Sequence, residues 1–392
     1  MTHLQAKVSS AAAAECPELG VYCHVPFCAS SCEFCAFYQE QPDRAGVERY
    51  LAAMELEIAA LPERFPARTV FWGGGTPGLL PAGDMARLGR ALLARLAEPP
   101  KEWTVEMAPS TVKADKLRVL RDLGVTRISM GAQSFRDRFL EAIGRRQGAR
   151  SVYRAWELIR RAEFPETNID LMFALPGQTV SEWEADVREA VRLAPTHVST
   201  YALTFEEDTA LYAKLARGEV VRDEAREVAM YERGWSLLPE LGYPQYEISN
   251  FAIPGSECRH NRNIWRMGEW VGRGPAAAGQ FGGEPKQRPA GMAAWGGGLV
   301  NRRPARVARN RLDDSLLWTD AVVFGLRTNA GVDLQTLSRR FPFAEPAVRE
   351  SVSSELGKLE AEALLVREGT RVRLTHRGRL LADAIGARLI AS

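Results

Sequence analysis

From residue 20 onward, short apolar runs rich in β-branched and aromatic residues alternate with longer stretches whose apolar positions recur every three to four residues. The first pattern suits buried strands and the second suits one-sided helices. Strands are predicted at 21–25, 69–72, 103–107, 127–131, 168–173 and 197–203, with helices at 44–61, 81–96, 113–123, 151–161 and 181–194 between them. This alternation is that of six successive βα units on a parallel sheet, two short of a full eight-unit barrel. Residues 212–242 continue as a charged helical stretch. After residue 313, helical patterns near 316–325, 333–340 and 346–361 precede a short hairpin at 364–374, which predicts a small α+β domain resembling a winged helix. Residues 1–19 are Ala-rich with Lys7 as their one Lys or Arg, and read as a flexible arm without the charged start and apolar core of a signal peptide.

Composition narrows the class. Of 392 residues, 46% are hydrophobic and 26% charged, and no apolar run approaches the ~20 residues that cross a membrane, as in an ordinary cytoplasmic protein. The 51 basic and 49 acidic residues nearly cancel to +2. No nucleic-acid partner is therefore expected, and any membrane contact is at most peripheral. One local bias stands out: residues 285–311 hold Lys286, Arg288, Arg302, Arg303, Arg306, Arg309 and Arg311 and no acid, which predicts a solvated basic loop over 285–312.

The chemistry is concentrated in YCHVPFCASSCEFCAFY (residues 22–38), where Cys28, Cys32 and Cys35 are spaced Cys-x3-Cys-x2-Cys. Three soft thiolates on so short a loop suit a metal centre, and crowding of this kind without a secretion signal disfavours a disulfide frame. Three is one fewer than a closed site takes, so the fourth position is either borrowed, by zinc from His24 or Cys23, or left open for chemistry. Spacing alone leaves both open. Beyond the second predicted strand, WGGGTPG (72–78) places three glycines where backbone can approach a ligand, or simply turn tightly. Glu106, Gln133 and Asp170 stand near the ends of the next three strands. Buried polar groups there must be paired, either by capping the next helix or by meeting a ligand in the shared mouth. His260, within HNRNIW, is either a hydrogen-bonded junction histidine or a ligand.

The cysteine loop resembles the cluster-binding loop of the radical S-adenosylmethionine (SAM) superfamily. Its YCHVPFC context, GGGTP, NIDLMFALPGQT and YEISNFA are similar to the branch containing oxygen-independent coproporphyrinogen III oxidase and its heme-chaperone relatives. The resemblance spans about residues 20–390 and implies a partial (β/α)6 barrel over 20–210, a family-specific segment over 211–284 and a C-terminal domain over 313–392. It further implies a [4Fe-4S] cluster on Cys28, Cys32 and Cys35 with its fourth iron chelated by SAM. Tyr22, Gly73, Gly74, Gly75, Thr76, Glu106, Gln133, Arg145 and Asp170 inherit SAM contacts, with Tyr201 and Ala202 as more distant matches. His260, Asn261 and Trp265 match a heme-associated motif, although Ile264 replaces its tyrosine and Ala278 a second histidine.

Phe37 stands where the oxidase carries a further cysteine, which points away from oxidation of coproporphyrinogen. The expectation is a heme chaperone that passes heme to an acceptor such as a respiratory membrane protein. The alternatives are oxidative decarboxylation of porphyrinogen propionates, or another radical reaction on heme or a tetrapyrrole. Radical chemistry of either kind also requires an electron donor.

Overall fold

In a computed structural model, residues 18–300 and 312–391 are described. Six parallel strands lie side by side in chain order: β1 (Gly20–Val25), β2 (Thr69–Gly74), β3 (Glu102–Met107), β4 (Arg127–Gln133), β5 (Glu166–Phe173) and β6 (His197–Ala202). The helices between them are α1 (Arg44–Ala59), α2 (Ala82–Leu93), α3 (Ala114–Asp122), α4 (Asp137–Ala142), α5 (Ala149–Arg161) and α6 (Val180–Arg192). All six predicted strands form, each within two residues of its expected ends. The short α4 has no periodic signal and was not expected.

Alternation along the strands sorts the side chains. Val21, Cys23, Val25, Val70, Trp72, Trp103, Val105, Ile128, Met130, Ile169, Leu171 and Val198 are buried in one continuous core shared with the helices. Their intervening neighbours face the other way and are largely polar: Tyr22, His24, Thr104, Glu106, Ser129, Asn168, Asp170, His197 and Ser199. A parallel strand covered on both sides normally reads as continuously apolar. Here the concave face is polar, and such a face must be satisfied internally or by a ligand.

The chain between β6 and the C-terminal domain completes the sheet at both edges. After α7 (Ala210–Ala216) and α8 (Glu224–Glu240), β7 (Gln245–Glu247) and β8 (Asn250–Ala252) form a hairpin, and β8 runs antiparallel beside β6. Then α9 (Arg259–Trp265) crosses to the other edge, where β9 (Trp270–Arg273) pairs in parallel with β1, followed by β10 (Ala278–Phe281) and β11 (Glu284–Gln287). The basic stretch at 285–312 is therefore not one loop. It begins in β11 and contains α10 (Met292–Val300), which buries Trp295 against Tyr50 of α1 and donates its indole N–H to the buried Glu57 at 3.0 Å. Arg302, Arg303, Arg306, Arg309 and Arg311 lie outside the described residues, as does the arm at 1–17.

The C-terminal unit comprises α11 (Asp314–Leu326), β12 (Val332–Asp333), α12 (Leu334–Arg340), α13 (Pro346–Ala361), β13 (Leu365–Glu368), β14 (Arg371–Leu374), α14 (His376–Leu380) and α15 (Ala382–Ala391). Its three-stranded antiparallel sheet and helices enclose a separate core centred on Trp318, Val322, Leu356 and Val372. It docks on the β7–β8 hairpin: Asn329 N–H donates to the Tyr246 carbonyl at 3.1 Å, and Ile248 N–H to that of Arg327 at 3.2 Å.

Candidate active site at the mouth of the sheet

The three cysteines lie on the loop leaving β1, each half-buried with a free thiol. That loop is anchored at its far end by a bridge between Phe27 and Glu40 and by Cys28 N–H donating to the Glu40 carbonyl at 2.9 Å. Cys28 Sγ lies 3.6 Å from Thr76 Oγ1, which brings the cysteine loop onto the glycine loop leaving β2. Burial pushes the Cys28 and Cys35 thiols up, and the charges of neighbouring thiolates add to it while the Arg145 guanidinium opposes it. Among the described residues no trio of His, Cys, Asp or Glu is already closed to metal-holding geometry. The donor chemistry fits an iron–sulfur cluster nonetheless: three free thiols on one short loop with the Arg145 cation near them.

The glycine loop is shaped by what it touches. A Cβ on Gly73 would lie 2.9 Å from Glu106 Oε2, and one on Gly75 2.8 Å from the Phe27 carbonyl oxygen. Gly74 has φ +103°, and a Cβ there would run into the imidazole of His24. That ring is pinned on both sides, with Nε2 3.3 Å from the Tyr38 carbonyl and Nδ1 3.1 Å from the Tyr22 hydroxyl. Because a carbonyl can only accept, Nε2 carries the proton and Nδ1 accepts from Tyr22. Burial lowers the imidazole's pKa, which keeps it in this neutral form.

Glu106 is pushed up to about 8, first by burial and then by the charge of Asp170, with the Gly74 N–H opposing both. Burial also raises Asp170, against hydrogen bonds from Asn168, Ser199 and Ser129 and the charge of Arg145. Gln133 sits at a register shift in the β4–β5 pairing with φ +68°, a strained conformation for a residue with a side chain. Buried Asp186 sustains it by accepting from Ser134 Oγ at 2.6 Å and Phe135 N–H at 3.3 Å. The Arg145 Nε is buried without a partner, and Tyr201, 41% exposed, lies beside Asp170 and Glu106.

Glu106, Gln133 and Asp170 thus gather at one mouth. The helix after β5 is capped by Thr179 in a capping box with Glu182, not by Asp170, so the carboxylate is not spent on a helix end. Two buried carboxyl groups, one of them pushed up to about 8, an orphaned guanidinium nitrogen and a backbone cradle that any Cβ would fill make a site for a small polar ligand carrying both positive charge and hydroxyls. SAM fits that description.

His260 is elsewhere. It lies under the amino ends of the strands, at the floor of the sheet, with Nδ1 2.9 Å from Thr69 Oγ1 and its ring 5.3 Å from that of Phe71. The start of α9 is seated on the buried Glu102 carboxylate, which accepts from Arg259 N–H and His260 N–H, both at 2.9 Å. His260 is 2% exposed, and burial holds its imidazole down at about 4. As packed, the ring offers no face to a macrocycle. Trp265 faces the C-terminal domain, with Arg327 over its ring at 5.1 Å, and Asn261 is half-buried on the same helix.

Sequence reasoning took His24 only as a possible zinc ligand and missed its place against Gly74, and it missed Asn168 and, behind it, His197 and Tyr246. His24 and Asn168 were legible in principle, since each stands two residues from a predicted contact, Tyr22 or Asp170, and so shares its face. His197 and Tyr246 carried no such signal.

Comparison with known proteins agrees with this geometry. A family model described as the radical SAM superfamily matches residues 22–190, and one described as the HemN C-terminal domain matches 314–381. The heme chaperone HemW of Bacillus subtilis is 31% identical over 377 residues, covering 93% of this chain and 97% of its own. This chain belongs to the HemN/HemW-like family of radical SAM proteins. The heme chaperone HemW of Mycobacterium tuberculosis is 34% identical over 375 residues, 93% of either chain. The solved structure of the radical SAM enzyme coproporphyrinogen III oxidase (HemN) from Escherichia coli shares the fold with a TM-score of 0.81, covering 95% of this chain and 90% of that one at 22% identity. Membership implies a [4Fe-4S] cluster and SAM, and at the mouth described above the Cys28 thiol meets the loop that carries the glycine cradle.

Proposed function

We propose that this protein is a heme chaperone of the radical SAM type, which holds heme and passes it to an acceptor protein. The observation that carries the reading is the end-to-end similarity to curated heme chaperones, spanning both the barrel and the C-terminal domain. Cys28, Cys32 and Cys35 would hold the [4Fe-4S] cluster. Tyr22, the backbone of Gly73 to Thr76, Glu106, Gln133, Arg145 and Asp170 would hold SAM. The cluster's own chemistry is one-electron transfer to SAM, fed by an external donor, while the residues at the mouth bind, orient and exclude water. Replacing any one of the three cysteines by Ala should abolish cluster assembly, and unchanged iron and sulfide content would remove the cluster from the reading.

His260, Asn261 and Trp265 enter on their motif alone. His260 reaches heme only if α9 lifts from Glu102, so heme loading through it is expected to disturb the floor of the sheet. The deciding experiment is an anaerobic heme titration of cluster-reconstituted protein, with absorbance read after desalting and His260→Ala run in parallel. Near-stoichiometric retained heme is expected, and a changed spectrum in the variant would put His260 at or near the iron. No retained heme, together with turnover of coproporphyrinogen in the presence of SAM and a reductant, would overturn the chaperone reading.

A further inference from the structure

The YEISNFA stretch, distinctive in sequence, plays no part in the mouth as described, yet its first residue reaches toward it. Tyr246 OH lies 2.8 Å from His197 Nε2, and His197 Nδ1 lies 2.7 Å from Asn168 Oδ1. Asn168 Nδ2 in turn donates its two hydrogens to Asp170 Oδ1 and Ser129 Oγ, each at 2.7 Å, while Ser199 Oγ donates to Asn168 Oδ1 at 3.3 Å. Ser129 Oγ donates to the other Asp170 oxygen at 3.1 Å.

The direction of the chain follows from the chemistry of its members. Asn168 Oδ1 can only accept, so His197 Nδ1 carries the proton, and Nε2, left as an acceptor, takes the Tyr246 hydroxyl hydrogen. Burial, with the charge of Arg127, pushes the His197 pKa well below its ordinary value, which fixes the neutral ring. The Tyr246 oxygen also accepts the Cys258 N–H at 3.3 Å, just ahead of α9. On the main chain the Tyr246 carbonyl accepts from Asn329 of the C-terminal domain. The strut is therefore anchored by both the floor helix and the C-terminal domain.

We propose that Tyr246 and His197 are positioning residues which, by fixing which way the Asn168 amide points, orient the Asp170 carboxylate for SAM. The proposal rests on Asp170 meeting SAM. Without His197, Asn168 Oδ1 keeps only the longer bond from Ser199 Oγ at 3.3 Å, so the amide is held less firmly with its donor toward the Asp170 carboxylate. The other titratable groups facing Asp170 are Glu106 on β3, Arg145 beyond α4 and Tyr201 on β6, and the substitutions leave all three in place.

The test is equilibrium binding of SAM to anaerobically reconstituted holoprotein between pH 5.5 and 9, comparing wild type with His197→Ala, His197→Asn, Tyr246→Phe and Asp170→Asn. His197→Ala should weaken SAM roughly tenfold at neutral pH, a factor in line with loss of a buried hydrogen-bond partner. Its acid limb should move to higher pH, because Asp170 without its fixed donor takes up a proton more readily. His197→Asn, which keeps a donor near the Nδ1 position, should recover part of the affinity. Tyr246→Phe removes only a hydroxyl and should shift the limb the same way by less.

Two results overturn the proposal while Asp170→Asn still abolishes binding. One is wild-type affinity in folded His197→Ala and Tyr246→Phe; the other is an equal loss at every pH with no movement of the limb, the mark of general disruption. If Asp170→Asn binds SAM like wild type, the failure lies in the assignment of Asp170 itself.

Discussion

Replacing Gly74 by Ala tests whether the glycine cradle is built against a fixed wall. Two costs are expected. At φ +103° an L-residue is strained by roughly 1–3 kcal/mol. The added methyl also drives into His24, a ring 5% exposed and tied at both nitrogens, so it cannot swing aside without breaking its bonds to Tyr22 and Tyr38. Overpacking of this kind costs about 1–3 kcal/mol, for a total of roughly 2–6 kcal/mol. The clash can be isolated from the strain. Gly242 has a similar φ of +92° but no heavy atom within 4 Å of where a Cβ would stand, so Gly242→Ala carries the strain alone. Urea unfolding of the two variants and wild type, without added SAM, gives the difference directly. Gly74→Ala should be the less stable variant by about 1–3 kcal/mol. Equal stability of the two, within ~0.5 kcal/mol, would refute a pinned His24 and with it the claim that the cradle is preformed.

Other expectations follow from buried charges and the domain junction. Glu106 titrates at about 8 in the folded protein against an ordinary 4.5, so the unfolded chain gives up its proton first as pH rises and stability falls across that interval. Glu106→Gln removes this slope, and its advantage over wild type should grow by about 3–4 kcal/mol from pH 5 to pH 8 in thermal or urea unfolding; a pH-independent difference would contradict a buried acid there. Glu102→Ala strips the seat from α9 and leaves Arg127 buried without its partner at 3.4 Å, and should cost about 3–5 kcal/mol. Arg379→Ala removes contacts to Gln245 at 2.5 Å and Asn329 at 2.9 Å and the cation over Trp235, so limited proteolysis should release the C-terminal domain faster than in wild type.

The parallel strands and the ligand-facing loops were largely legible from sequence because both are local. Strand and helix periods repeat within ten residues, and the candidate cysteines and cradle glycines follow the predicted strand before them within ten residues. The edge strands were not, since β7 to β11 are three or four residues long and too short to show a period. The basic stretch misled for a related reason: charge and glycine content suggested a loop, while packing against α1 made part of it helix and buried Trp295.

What the sequence by itself determined was the chemistry: three thiols on one loop, three glycines on the next, and acids at successive strand ends. Which residues share a site was decided by tertiary structure. HNRNIW names a histidine but not an end of the sheet. His260 came to rest at the floor through partners 158 and 191 positions away, Glu102 and Thr69, while the histidine that serves the mouth through Asn168 is His197. A motif specifies which groups are available within a few residues. Only the path of the chain through the β7–β8 hairpin and α9 specifies what they meet, because those contacts form between segments whose local patterns carry no reference to one another.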